Sequence, residues 1–167
     1  MKVQRFFLEV KKIDHKIIDL DLPKDIKIVL EYNKNFKINK FFYKQIGIDH
    51  YWRDRLVWSD DEWSNYLKNI NLETWLIKNN NELIGFYETE FHPNNNEVEL
   101  INMGILKEFR GKKYGSKLLA HVINSTFERK ALRLWVHTCS LDHKYALKNY
   151  QSKGFKVFKE EEISFVA

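Results

Sequence analysis

Glu99–Leu119, ELINMGILKEFRGKKYGSKLL, reads as an apolar strand that runs into a short basic, glycine-bearing turn and then into a helix. Behind the turn, Tyr114, Leu118, Leu119, Val122, Ile123 and Phe127 recur at helical spacing and predict an amphipathic helix. Gly111 and Gly115 let the backbone bend and approach a ligand closely. Free amides at a helix start, together with the positive end of its dipole, attract phosphate. Lys107, Arg110, Lys112, Lys113 and Lys117 add positive charge, opposed only by Glu108. The expected guest is a polyanion.

Two familiar phosphate loops do not fit. The order GxxxxGK[ST] is missing, because Ser116 precedes Lys117 after Gly115, and the dinucleotide spacing GxGxxG is absent. The order of residues instead resembles the GNAT superfamily of acetyl-CoA-dependent N-acetyltransferases, whose pyrophosphate loop follows (Gln or Arg)-x-x-Gly-x-(Gly or Ala). Arg110 and Gly115 match, whereas Lys113 replaces the middle glycine and Gly111 supplies one nearby. If residue 113 needs a positive φ, a lysine there costs on the order of 1 kcal/mol. Downstream, Leu132–Thr138 resembles the family's next strand, and Tyr145–Phe155 its next helix, with Tyr150, Gly154 and Phe155 as the terminal signature. Upstream, Glu99 stands sixteen positions before Gly115, where some members hold a general-base glutamate. The likeness covers roughly residues 72 to 160.

The resemblance implies an α/β fold: a central mixed, twisted sheet with two splayed parallel strands and helices on both faces. It implies acetyl-CoA as co-substrate, held by Met103, Gly104 and Ile105 on the strand and by Arg110, Gly111, Lys112, Lys113, Tyr114, Gly115 and Ser116 in the loop. His143 takes a place where many members carry a cofactor-contacting asparagine. The reaction is attack of an amine on a thioester, so a proton must leave the amine and the departing sulfur must gain one. Glu99 is the candidate base, on the same strand face as Glu97. Tyr150 is the candidate acid, since a phenol of pKa about 10 matches a thiolate in basicity. Trp52, Arg53, Arg55 and Trp58, between the first two helices, are the expected acceptor wall, holding an amine by cation–π contact or a carboxylate by bidentate pairing. His137 ends the strand beside the expected gap. Cys139 has no fixed base, so direct transfer is preferred to an acetyl-cysteine route.

Elsewhere the sequence predicts strands near 3–10, 26–32, 73–78, 82–91 and 97–106, and helices near 36–46 and 60–70. A final pair of strands is expected after the last helix. Ser59 with Glu62 makes a capping box, and Trp63, Tyr66, Leu67 and Ile70 form an apolar face behind it. The Asn-rich pieces 79–81 and 94–96 fit hairpin turns. At 167 residues and 44% apolar composition, one domain over 1–167 is expected.

A net charge of +5 favours anionic partners. The lysines do not gather into a stripe, and no helix-turn-helix, zinc finger or RNP1 motif is found, so nucleic acid is not the expected partner. A catalytically silent acyl-CoA-binding module of the same fold stays open. The single cysteine agrees with a cytoplasmic location. No leader or membrane span is read. The six scattered histidines show no HExxH, so no metal is expected. By analogy alone, a homodimer through the last strands is possible.

Overall fold

Local signals fix most element ends in the computed structural model, which describes residues 1–164. Helix α1 (Phe36–Gly47) starts where the Asn35 side chain accepts from Lys37 N. In α2 (Asp60–Leu67) the Ser59/Glu62 box closes in both directions, and three acidic residues occupy the first turn, favourable for the dipole. That helix ends at Leu67, so Ile70 lies beyond it and is 91% exposed, contrary to the expected four-residue apolar face. Helix α3 (Tyr114–Glu128) buries Leu118, Leu119, Val122, Ile123 and Phe127, as their spacing predicts. Helix α4 (Ala146–Ser152) stops before Gly154, whose φ of +100° lets Phe155 N turn back to Tyr150 O at 3.1 Å.

Seven strands, β1 (Lys2–Lys11), β2 (Ile26–Leu30), β3 (Leu72–Asn79), β4 (Glu82–His92), β5 (Glu97–Ile105), β6 (Arg133–Cys139) and β7 (Lys156–Ser164), form one sheet. Their order is β2-β3-β4-β5-β6-β1-β7. Asn80 and Asn96 adopt positive φ (53° and 51°) in the turns β3–β4 and β4–β5, a conformation asparagine tolerates. The β5–β6 pair is parallel and the others are antiparallel, giving the expected mixed sheet.

The end of the sheet departs from expectation. In place of a final strand pair, β7 is the last described strand, and its partner is β1 from the chain's start. The first strand thereby lies between β6 and β7, antiparallel to both.

Helices cover both faces. On one, α3 and α4 pack Leu118, Leu119, Val122, Ile123 and Tyr150 against Leu8, Val98, Leu100, Leu134 and Val136. On the other, α1 sets Phe42 and Ile46 against Leu76, Phe86 and Leu106. Phe42 and Phe86 stack with centroids 4.8 Å apart. Each fully buried ring of this kind contributes roughly 1.5–3 kcal/mol. Gly104 admits α1 to the sheet: a Cβ there would meet Ile46 Cγ2 at 2.6 Å.

Candidate active site

Strands β5 and β6 share only the rungs Glu97–Leu100 with Arg133–Val136. A bulge on β5 at Ile101, between the rungs Thr89–Leu100 and Glu88–Asn102, turns the strand just above the last of them. Beyond it the two strands part, and the β5 edge over 101–105 has no ladder partner on β6. This is the expected splay, and the basic loop stands at its mouth.

Within the loop, Arg110 Nε donates to Ile105 O at 3.0 Å and Nη1 pairs with Asp49 at 3.0 Å. The remaining nitrogen, Nη2, is buried without a partner among the described residues. Gly111 has φ +82° and Lys113 has φ +67°, ψ 14°, so the replaced glycine falls where the left-handed conformation is needed. Among the described residues no acceptor meets the amides of 111–116. The first bonded amide of α3 is Lys117 N, to Lys113 O at 3.2 Å. Six open donors, a helix start and an orphaned guanidinium nitrogen fit a diphosphate. Lys112 and Lys113 are exposed beside them, and Tyr114, Gly115 and Ser116 are half-buried. Lys117 does not join them, because its Nζ donates to the carbonyls of Leu20 (3.0 Å) and Asp21 (2.6 Å) and ties the β1–β2 connection to α3.

Across the gap, His143 lies before α4 and its Nδ1 accepts from Tyr145 N at 3.2 Å. Its ring meets that of His50 at 5.8 Å. Burial, and then the charge of Arg110, lowers the pKa of both imidazoles, which favours their neutral forms. Tyr150 is buried edge-on to Phe155 at 5.3 Å, and burial raises its pKa. Its hydroxyl has no hydrogen-bond partner among the described residues. Met103 packs toward α3, while Ile105 is buried and gives its carbonyl to Arg110.

On the opposite sheet face, Glu99 occupies the rung opposite Trp135, immediately below the fork. Burial raises its pKa, and a 3.1 Å bond to His92 Nε2 works against that rise. Glu97 shares the face but is tied to Arg133 (3.0 Å), which also binds Glu9 (2.8 Å). Glu90, His92 and Glu99 bring three ligand-capable atoms within 4.8 Å of one another, a grouping across two strands that no sequence spacing shows. His137 is exposed, with its ring 5.6 Å from that of Phe7 on β1. Cys139 is half-buried, and burial raises its thiol pKa, which disfavours the thiolate.

The wall between α1 and α2 differs from expectation at its centre. Trp52 packs over Gly47, where a Cβ would meet Trp52 Cβ at 2.6 Å, and Arg53 lies 5.7 Å from the Tyr51 ring. Arg55, expected to hold an acceptor carboxylate, turns inward and pairs with Glu88 at 3.1 Å, with side chains 10% and 1% exposed. Trp58 stands edge-on to Trp63 (4.9 Å) and Tyr66 (5.3 Å). Glu88 also accepts from Asn39 Nδ2 (2.7 Å), Tyr66 OH (2.9 Å) and Asn102 Nδ2 (3.3 Å). The sequence assigns no role to Glu88, Asn39 or Asn102, and its spacing marks Tyr66 only as part of an apolar helix face. The available signal was a carboxylate directly after the apolar run Leu83–Tyr87, with Glu90 two positions further on.

Comparison with known proteins agrees with this geometry. A model of the acetyltransferase (GNAT) family matches residues 37–155, more than half of the chain. Among solved structures, a GCN5-related N-acetyltransferase from Sphaerobacter thermophilus aligns with TM-score 0.73 and 12% identity over 95% of this chain. The chain spans 49% of that protein's length. An aminoglycoside acetyltransferase from an uncultured soil metagenomic sample, in complex with trehalose, aligns with TM-score 0.65 and 13% identity, covering 81% of this chain and 90% of its own. The ribosomal-protein-S18-alanine N-acetyltransferase from Escherichia coli gives 0.61 and 16%, covering 77% and 76% respectively. A search of curated protein sequences gives no match. At these identities the structures speak for the fold, and the family model carries the assignment: the chain belongs to the acetyltransferase (GNAT) family.

Proposed function

We propose that this chain transfers an acetyl group from acetyl-CoA to a primary amine by direct attack. The observation that carries the reading is the row of amides at 111–116, open among the described residues, with Arg110 Nη2 likewise unpartnered beside it, at the mouth of the β5–β6 fork. Those groups would hold the diphosphate, and the unpaired β5 edge at Met103–Ile105 would hold the arm that follows it. Bound acetyl-CoA supplies an activated acyl thioester.

Glu99 receives the acceptor's proton at a carboxylate oxygen, and His92, hydrogen-bonded to it and partly exposed, connects it with solvent. The Tyr150 hydroxyl, without a hydrogen-bond partner among the described residues, holds the proton that the departing sulfur takes up. Acid–base help of this kind contributes roughly 3–5 kcal/mol, whereas holding two reactants together can contribute about 7–11, so positioning dominates.

The test is release of free CoA thiol from acetyl-CoA with a panel of primary amines. Amine-dependent release above the rate without amine is expected. CoA binding with no release for any amine would make the chain a silent acyl-CoA-binding module instead.

A further inference from the structure

Two carboxylates on one sheet face are held in different ways. Glu99 sits half-buried under the fork, while Glu88 is fully enclosed. Glu90, the ladder partner of Glu99, lies two residues along β4 from Glu88, a spacing of about 7 Å. Over Glu88, the Arg55 guanidinium is surrounded by four rings: Tyr66 at 4.3 Å, Trp58 at 4.9 Å, and Tyr43 and Trp63 at 5.5 Å. Its Nη2 donates to Tyr66 OH at 3.0 Å.

Aromatic faces around a carboxylate recognise alkylammonium and guanidinium ions. A buried ion pair adds little stability over an apolar filling of the same volume, so stability alone does not account for this arrangement. Three of the four walls and the occupant belong to different elements. Tyr43 stands on α1 and Trp63 and Tyr66 on α2, whereas Arg55 and the fourth wall, Trp58, ride on the irregular segment 48–59. In that segment Leu56 and Val57 are 52% and 85% exposed and Tyr51 takes φ +60°. Asn39, fully buried and bonded to Glu88, has an Oδ1 with no donor among the described residues. Asn102 joins the cage to the bulge at the fork.

We propose that this cage is the cation-recognition part of the acceptor site, filled in this structure by the chain's own Arg55. The acceptor is a primary amine bearing a guanidinium group, the chemistry of the Arg55 side chain it replaces, about 7–8 Å from the reacting nitrogen, the cross-strand diagonal from Glu88 to Glu99. That group displaces Arg55 as segment 48–59 lifts, and Glu88 keeps a cationic partner throughout. The reacting end of the acceptor rests on the acyl-transfer reading, but cation binding by the cage does not.

The probe is agmatine, compared with n-butylamine, titrated calorimetrically into the wild-type chain without acetyl-CoA. Agmatine is expected to bind at least tenfold more tightly and to raise amide hydrogen exchange across residues 50–58. Glu88→Gln should weaken agmatine binding at least tenfold, and Arg55→Ala should gain saturable binding of ethylguanidinium. If Arg55→Ala does not fold, the wild-type titration and exchange decide alone. Equal binding of the two amines by wild type, with exchange at 50–58 unchanged, overturns the cage. Agmatine binding without thiol release from acetyl-CoA leaves the cage standing and overturns the proposed reaction.

Discussion

Lys113→Gly is expected to stabilise the chain, although it removes a side chain and a charge. Lys113 has φ +67°, the left-handed region, where an L-residue loses roughly 1–2 kcal/mol to contact between Cβ and the backbone. Glycine removes that cost but leaves a freer unfolded chain, which offsets about 0.4–1 kcal/mol. The net gain is about 0.5–1 kcal/mol, or about 1–4 °C in Tm for a domain of this size. Lys112→Gly is the control, because Lys112 is not among the positive-φ residues and should lose stability on the same substitution. Thermal and urea unfolding of the three proteins decide the matter. CoA affinity in Lys113→Gly should fall no more than about fivefold, the worth of one exposed charge at ~1 kcal/mol, since backbone amides carry the contact. If Lys113→Gly unfolds no later than wild type while Lys112→Gly behaves alike, the loop does not adopt this backbone.

Glu99→Gln should slow turnover by roughly 10² to 10⁴ with CoA binding preserved, measured by thiol release and calorimetry. Wild-type rate should fall as pH drops through the raised Glu99 pKa, above the usual carboxylate range, and the variant should lack that limb. Arg55→Met leaves Glu88 charged in the interior and should cost about 3–5 kcal/mol in urea unfolding, and adding Glu88→Gln should recover much of it. His121, bonded to Tyr87 OH at 2.9 Å, is held neutral by burial, with its pKa lowered from 6.5 to about 4. Its contribution is therefore complete above pH 6.5 and is lost as pH falls toward 4. After allowance for partial exposure this is on the order of 1–2 kcal/mol, and His121→Gln should flatten that window.

Local chemistry made the helices legible. The Ser59–Glu62 box and the apolar spacing from Leu118 to Phe127 depend on neighbours within a few residues, and the Asn turns likewise. The loop at 110–116 was readable for the same reason, whereas its sequence leaves open whether residue 113 takes a positive φ, which the structure shows it does. Pairing was not readable. Nothing in β1 itself says that it lies between β6 and β7, because the ladder joins residues such as Arg5 and Cys139 that are far apart in the chain. The site divides along the same line. Glu99 is named as a candidate base from the resemblance, by its position sixteen residues before Gly115, whereas Glu88 acquires its setting from Asn39, Arg55, Tyr66 and Asn102, four residues brought together from α1, the wall, α2 and β5. Lys117 counts in the sequence among the positive charges around the loop, but the fold sets it against the carbonyls of Leu20 and Asp21.

The central claim is that open amides at 111–116 and Arg110 clasp the diphosphate of coenzyme A, and calorimetric titration of the purified chain with CoA tests it most directly. Saturable binding at one site per chain, weakened at least tenfold when 3′-dephospho-CoA is replaced by pantetheine, is the predicted result. No heat of association with CoA, or equal affinity for pantetheine, would contradict it.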